Sequence, residues 1–159
     1  MPLHKDPAER GYLRFFYRDW RPTRFGRLWT RLFAWVSGLG LVPQILLTLQ
    51  VKDRSTGRLH DTILVGVSYE GQRYLVSMLG NGSEWVQNLR AAGGKASIKR
   101  GRSRPVMLTE VPAKERAPIL KAWCQIATSG RQHLPVPHQA PVADFEAIAG
   151  DYPVFRIDE

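Results

Sequence analysis

Cysteine is almost absent. Cys124 stands alone in a chain of 159 residues, so no internal disulfide and no cysteine-built metal centre can form. Histidine is scarce too, at four residues. His133 and His138 lie in a proline-rich stretch with no third ligand at a suitable spacing, which argues against any metal centre. Acidic residues are the third shortage: 14 Asp and Glu face 23 Lys and Arg, a formal net charge of +9. That imbalance asks for an acidic partner, whether nucleic acid, anionic lipid or a poly-anionic small molecule. No serine or cysteine occupies a nucleophile elbow, so triad hydrolysis has no foothold. Internal repeats and low-complexity tracts are missing. Also missing is the ordered sequence of basic start, apolar stretch and small-residue cleavage site that directs export, so a cytoplasmic protein is expected.

What is present suffices for a folded domain. Hydrophobic residues make up 43% and charged residues 23%, ordinary values for a chain long enough to bury a core. The charge is unevenly spread. Residues 1–43 carry eight Lys/Arg against three Asp/Glu, or +5 of the total. Within them, Thr23 can cap a helix that Gly38 and Gly40 end. Phe25, Leu28, Trp29, Leu32, Phe33 and Val36 recur there at helical spacing, with Arg24, Arg27 and Arg31 on the other side. The pattern fits a helix lying on an anionic membrane surface, and equally one whose apolar face covers the rest of the domain. Residues 32–51 hold no charge and are long enough to span a bilayer. Glycines at 38 and 40, Pro43 and strand-like alternation over 45–51 break that reading, so peripheral attachment to the plasma membrane is expected instead. The chain divides into a basic helical segment, 1–43, and a second unit, 44–159.

The second unit is organised around residues 55–90. A polar turn, Ser55-Thr56-Gly57-Arg58, precedes two apolar segments at 62–69 and 73–79, joined through Gly71. Gly80-Asn81-Gly82-Ser83 follows and feeds a helix from Glu84, with Ser83 placed to cap it. A glycine-rich loop entering a helix offers unpaired backbone N–H groups to an anion. Downstream, 95–99 and 106–111 read as strands around a basic turn at 100–104, with Pro105 at an edge or strand start. Pro112 opens a helix to about 128 that turns Ile119, Leu120, Trp123 and Ile126 or Ala127 inward, with Cys124 an inert packed thiol. Residues 131–141 form a long loop of the kind that lids sites, and 152–157 reads as a last strand.

Thr56-Gly57-Arg58, the hairpin, Gly80-x-Gly82 and Trp85-x-x-Asn88-Leu89, with Tyr152-Pro153-Val154-Phe155-Arg156 at the end, resemble the deazaflavin-dependent nitroreductase family. The resemblance runs from about residue 47 to 157. It implies an α+β split β-barrel, mostly antiparallel with about six strands and flanking helices. It also implies coenzyme F-420 as cofactor and hydride transfer to a lipophilic acceptor such as a quinone or nitroaromatic. The cofactor is planar with an anionic tail, so Arg54, Thr56, Gly57, Arg58, Leu79, Gly80, Asn81, Gly82 and Ser83 become its candidate contacts. Leu64, Val65, Met78 and Trp85 become the ring slot, and Asn88 orients the tail or the loop. Trp29, Phe33 and Phe145 are the candidate acceptor pocket. No catalytic residue is singled out.

Two departures point elsewhere. The family follows its Thr-Gly-Arg with a second basic residue and Ser-Gly, where this chain has Leu59-His60-Asp61, and it carries a loop lysine where this chain has Leu79. Both suit a diverged, membrane-associated subgroup that holds fatty acids in the same barrel without cofactor. A third alternative is a basic nucleic-acid-binding module using Lys99, Arg100, Arg102 and Arg104, with a solvated hairpin tip the simpler explanation. Split barrels often dimerise, so a homodimer is compatible with all three.

Overall fold

The structure, a computed structural model, describes residues 17–18, 21–22 and 46–158. The expected helix at 23–37, with Trp29 and Phe33, lies outside the described residues. Tyr17–Arg18 pairs with Arg21–Pro22 in a minimal antiparallel ribbon. Of the uncharged stretch at 32–51, the described end is strand, and among the described residues no helix is long and apolar enough to cross a membrane.

Six strands close into a barrel: β1 (Leu46–Lys52), β2 (Leu59–Tyr69), β3 (Gln72–Val76), β4 (Lys95–Arg100), β5 (Arg102–Glu110) and β6 (Val154–Asp158). The order around the wall is β1-β2-β3-β6-β5-β4 and back to β1, every pairing antiparallel. Period-two alternation turns one face of every strand inward and, on β2, β3 and β6, the other face to a second, outer core. Leu47, Leu49, Val51, Leu75, Ile98, Leu108, Phe155 and Ile157 fill the inside. Helix α1 (Glu84–Ala91) adds Trp85, Val86 and Leu89 to that core. Outside, α2 (Ala113–Ile126) and the short α3 (Val142–Glu146) cover Val67, Val76 and Val154 with Ala117, Leu120, Trp123 and Phe145. Leu47, Leu49 and Leu75 are wholly buried inside the barrel, so an acyl chain threaded there would have to displace them.

The register defines two barrel ends. At the first, the β1–β2 turn, the glycine-rich loop and α1 come together. At the second lie Leu46, the β2–β3 hairpin and the β4–β5 hairpin, since Thr48 pairs with Lys99 and Gln50 with Ser97.

Four strand limits differ from expectation, the simplest being β6, expected from 152, which starts at Val154. β2 starts at Leu59, because His60 and Asp61 pair with Val51 and Gln50 and the Asp61 carboxylate accepts from Gln50 Nε2 at 2.8 Å. β3 stops at Val76, because Ser77 turns into the loop and donates its hydroxyl to Gly80 O at 2.8 Å. The supposed basic turn at 100–104 is nearly all strand, reversing at Gly101 alone, where φ is 71°.

Glycines 93 and 94 end α1 as their sequence suggests. Gly94 has φ 83°, and a Cβ built on it would sit 2.5 Å from the Leu108 carbonyl oxygen. Gly94→Ala should therefore cost more than the 1–2 kcal/mol of a left-handed residue alone. A fall in urea midpoint with unchanged slope would register it.

Candidate functional site

The turn between β1 and β2 is built on Asp53. Its carboxylate accepts from Ser55 N at 2.9 Å, Ser55 Oγ at 2.7 Å, Thr56 N at 2.7 Å and Thr56 Oγ1 at 3.1 Å. These bonds, the Ser55 hydroxyl's foremost, hold the Asp53 carboxyl far below the usual carboxylate range. Gly57 takes φ 70°, which returns the chain so that Asp53 N reaches Arg58 O at 2.8 Å. Arg58 is left exposed, its guanidinium without a partner among the described residues.

Arg54 behaves differently. Its Nη1 donates to Asn88 Oδ1 at 2.7 Å and to Glu84 at 3.1 Å, while its backbone N–H reaches the same Asn88 oxygen at 3.2 Å. Asn88 is 1% exposed, so it fixes the turn against α1 and is not open to a ligand. Arg54, expected to meet an anionic tail, and Asn88, expected to orient the tail or the loop, hold each other. Glu84 places a carboxylate at the helix start where an anion would otherwise rest.

The glycine-rich loop is folded on itself. Gly80 N donates to Ser77 O at 3.1 Å and Ser83 N to Gly80 O at 3.3 Å, so two of its four amides are committed internally. Ser83 does not cap the helix with its side chain; its hydroxyl lies 2.7 Å from that of Ser77. Asn81 and Gly82 remain exposed and Leu79 half-buried. Asn81 anchors the loop outward, donating to Gly150 O at 3.1 Å and accepting from Arg90 Nη2 at 2.9 Å. Arg90 in turn grips Glu110 with two bonds, of 3.0 and 2.6 Å. Buried Arg116 completes the chain, donating to Glu110 at 3.1 Å, to Val111 O at 2.7 Å and to Ala149 O at 3.0 Å. The Arg90 hydrogen bonds hold the Glu110 carboxyl below its ordinary range. Neither Glu110 nor Arg116 stands out in the sequence; only a helix position that is both charged and inward-facing could have flagged Arg116.

The expected ring slot is split. Neighbouring residues of a strand face opposite ways, and Leu64 goes with Trp85 to the interior core while Val65 and Met78 pack on the outer one. Trp85 is 8% exposed and meets Phe155 edge to face, centroids 5.4 Å apart. Val65 and Met78 are half-buried on the flank, where Trp123 Nε1 donates to Val65 O at 3.0 Å. Phe145, expected in an acceptor pocket, is fully buried among the residues between α2 and the barrel. Its ring fills the core because α3 lays it there. Cys124 is packed as expected, and burial pushes its thiol up to about 11.

Two clefts open on the outside. One, of about 390 Å³, is lined by Thr128, Arg131, Leu134, Val136 and His138 in the long loop after α2. Gly130, in the same loop, sits against Trp123 and Met78, so this cleft adjoins the Val65–Met78 flank. The other, of about 360 Å³, lies between Tyr69, Tyr74, Arg156 and the start of α2.

No protein-family model matches the chain, and no curated protein matches it. Solved structures do. One described as a domain-swapped dimer superposes with a TM-score of 0.50 at 14% identity, covering 80% of this chain and 92% of that one. A protein of unknown function from Agrobacterium tumefaciens gives 0.50 at 11% identity, over 79% of this chain and 53% of that one, so this chain spans about half its length. An F-420-H2-dependent reductase gives 0.44 at 18% identity, over 74% and 96%. The closed antiparallel barrel with its packed helices is an α+β split β-barrel, the fold this chain shares with the first of these structures.

Proposed function

We propose that this protein is a deazaflavin-dependent oxidoreductase that reduces a lipophilic acceptor, such as a quinone or nitroaromatic, at a membrane surface. One observation carries the reading. The residues through which the sequence resembles deazaflavin reductases lie far apart in the chain, yet the turn at 53–58, the loop at 77–83 and α1 meet at one barrel end. Arg58 there offers a guanidinium with no partner among the described residues, and Asn81 and Gly82 stay exposed.

The residues present fit an anionic tail through Arg58 and the exposed part of the loop. Arg54, Glu84 and Asn88 hold the platform in place and contribute no net charge to it. Val65 and Met78 offer a half-buried apolar flank for a planar ring, and the cleft beside Gly130 extends it towards an acceptor. When bound, reduced F-420 supplies the hydride. The chain's share is positioning: it neutralises the tail, holds ring and acceptor together and excludes water. The alternative of an acyl chain inside the barrel is disfavoured by the filled interior.

Titration with F-420, followed by tryptophan fluorescence, tests the assignment. Arg58→Ala should weaken binding about ten- to a hundredfold, the loss of one charge-assisted contact. Leu79→Lys should tighten it by adding a cation beside the loop. Absence of F-420 binding in both wild type and Leu79→Lys would remove the cofactor from the account.

A further inference from the structure

The excess charge is confined to two places. Of the net +9, residues 1–43 hold +5 and residues 95–109 another +5, leaving −1 for everything else. The second group is Lys95, Lys99, Arg100, Arg102 and Arg104, with no acidic residue among them. They sit on the β4–β5 hairpin, an arm whose β5 edge is unpaired towards its tip while β4 stays joined to β1 over Ser97–Lys99. β6 pairs with β5 only over Met107–Glu110, so residues 102–106 have β4 as their sole strand neighbour among the described residues. Arg104 pairs with Ile98 and Arg102 with Arg100, which places these arginines on the inward register at the barrel's open rim. Arg102 and Arg104 are exposed, Lys99 is half-buried, and none of the three has a partner among the described residues. The arm tip lies at the barrel end where β1 begins at Leu46, the point at which the basic first segment joins the barrel.

We infer that the β4–β5 arm is a second docking element for an anionic phospholipid surface, acting together with the basic residues of 1–43. Charge set apart on one hairpin, with the rest of residues 44–159 close to neutral, gives the barrel an orientation as well as an affinity. It would place the Leu46 end against the headgroups and the loop at 77–83 away from them. Nucleic acid is less well served: the arm carries no aromatic residue on which bases could stack. Joining two weak contacts in one chain multiplies their effect without any new contact. The inference rests on the membrane part of the proposed function and not on its cofactor.

The test is co-sedimentation of the full chain with phosphatidylglycerol/phosphatidylcholine vesicles, compared with phosphatidylcholine alone. Each basic residue near an anionic surface contributes a factor of about five, so Arg102→Gln/Arg104→Gln should lower partitioning roughly 20- to 30-fold. The loss should shrink at high salt, with the melting temperature unchanged because both side chains are exposed. Arg24→Gln/Arg27→Gln should cause a separate loss, and the quadruple variant a larger one. If the arm variant partitions like wild type while the first-segment variant does not, the arm proposal is wrong and membrane attachment stands. Wild type that ignores anionic vesicles overturns both. An arm variant that loses binding to duplex DNA but keeps vesicle binding overturns the arm proposal alone and makes the arm a nucleic-acid contact. F-420 binding, measured in the same variants, should be unchanged, so failure of the cofactor reading would leave this result intact.

Discussion

Trp123→Ala should lower stability by about 3–5 kcal/mol, the range for deleting a large buried aromatic. Trp123 is 1% exposed and joins α2 to the outer face of the barrel. Its indole also donates to Val65 O at 3.0 Å, so the alanine variant removes that hydrogen bond together with the ring. Trp123→Phe separates the two effects. It keeps most of the volume and loses the N–H, so it should cost about 1–2 kcal/mol. Urea unfolding of the three proteins gives both numbers. Equal losses for Ala and Phe would mean that the hydrogen bond, not the packing, dominates. Because Trp123 backs Val65 and Met78, the alanine variant should also loosen the flank proposed for the deazaflavin ring.

Arg116→Met should cost about 2–4 kcal/mol. The methionine keeps the stem and apolar contact but leaves Val111 O and Ala149 O without this donor, at about 1–3 kcal/mol per unsatisfied buried group. Glu110 keeps Arg90, so its charge is not abandoned. The same carboxylate gives an acid limb of known sign. Its folded pKa lies below its ordinary value, so the stability it contributes is complete above the unfolded carboxylate range, near about 4.3. That stability is lost as pH falls through the depressed folded value. Glu110→Gln should flatten this part of the stability–pH curve between about pH 5 and pH 3. An unchanged curve would mean that the Arg90–Glu110 contact contributes nothing in solution.

Much of the barrel was legible because its strands alternate. Leu47/Leu49/Val51 and Phe155/Ile157 show period two directly, and paired glycines mark the end of α1. The strand at 59–61 was not legible, since Leu59, His60 and Asp61 owe their conformation to partners on β1 that no local pattern reveals. Arg102–Arg104 read as a turn for the same reason: exposed charges on a strand look like loop. The candidate site was half legible. Thr56, Gly57, Gly80 and Trp85, far apart in the chain, belong to segments that meet at one barrel end. But residue type does not say whether Arg54 and Asn88 will bind a ligand or each other, and only the fold pairs them. Leu64 and Val65, adjacent in sequence, read as one wall, and strand geometry puts them on two. Phe145 offers an aromatic ring to a pocket by residue type alone, and its burial places that ring in the core.

The arm that leaves β6 behind has an unpaired edge over residues 102–106 among the described residues, and such an edge is a template for a strand from another molecule. Pro105 removes one donor from that edge, and the neighbouring arginines make a second copy electrostatically unwelcome. The cations thus guard against self-assembly in solution. A polyanion that masks them withdraws the guard and concentrates the protein at the same time. Crowded on such a surface, neighbouring copies would meet edge to edge with only Pro105 still opposing strand addition, so any polyanionic surface that captured the protein would also set a ceiling on how densely its copies could stay apart.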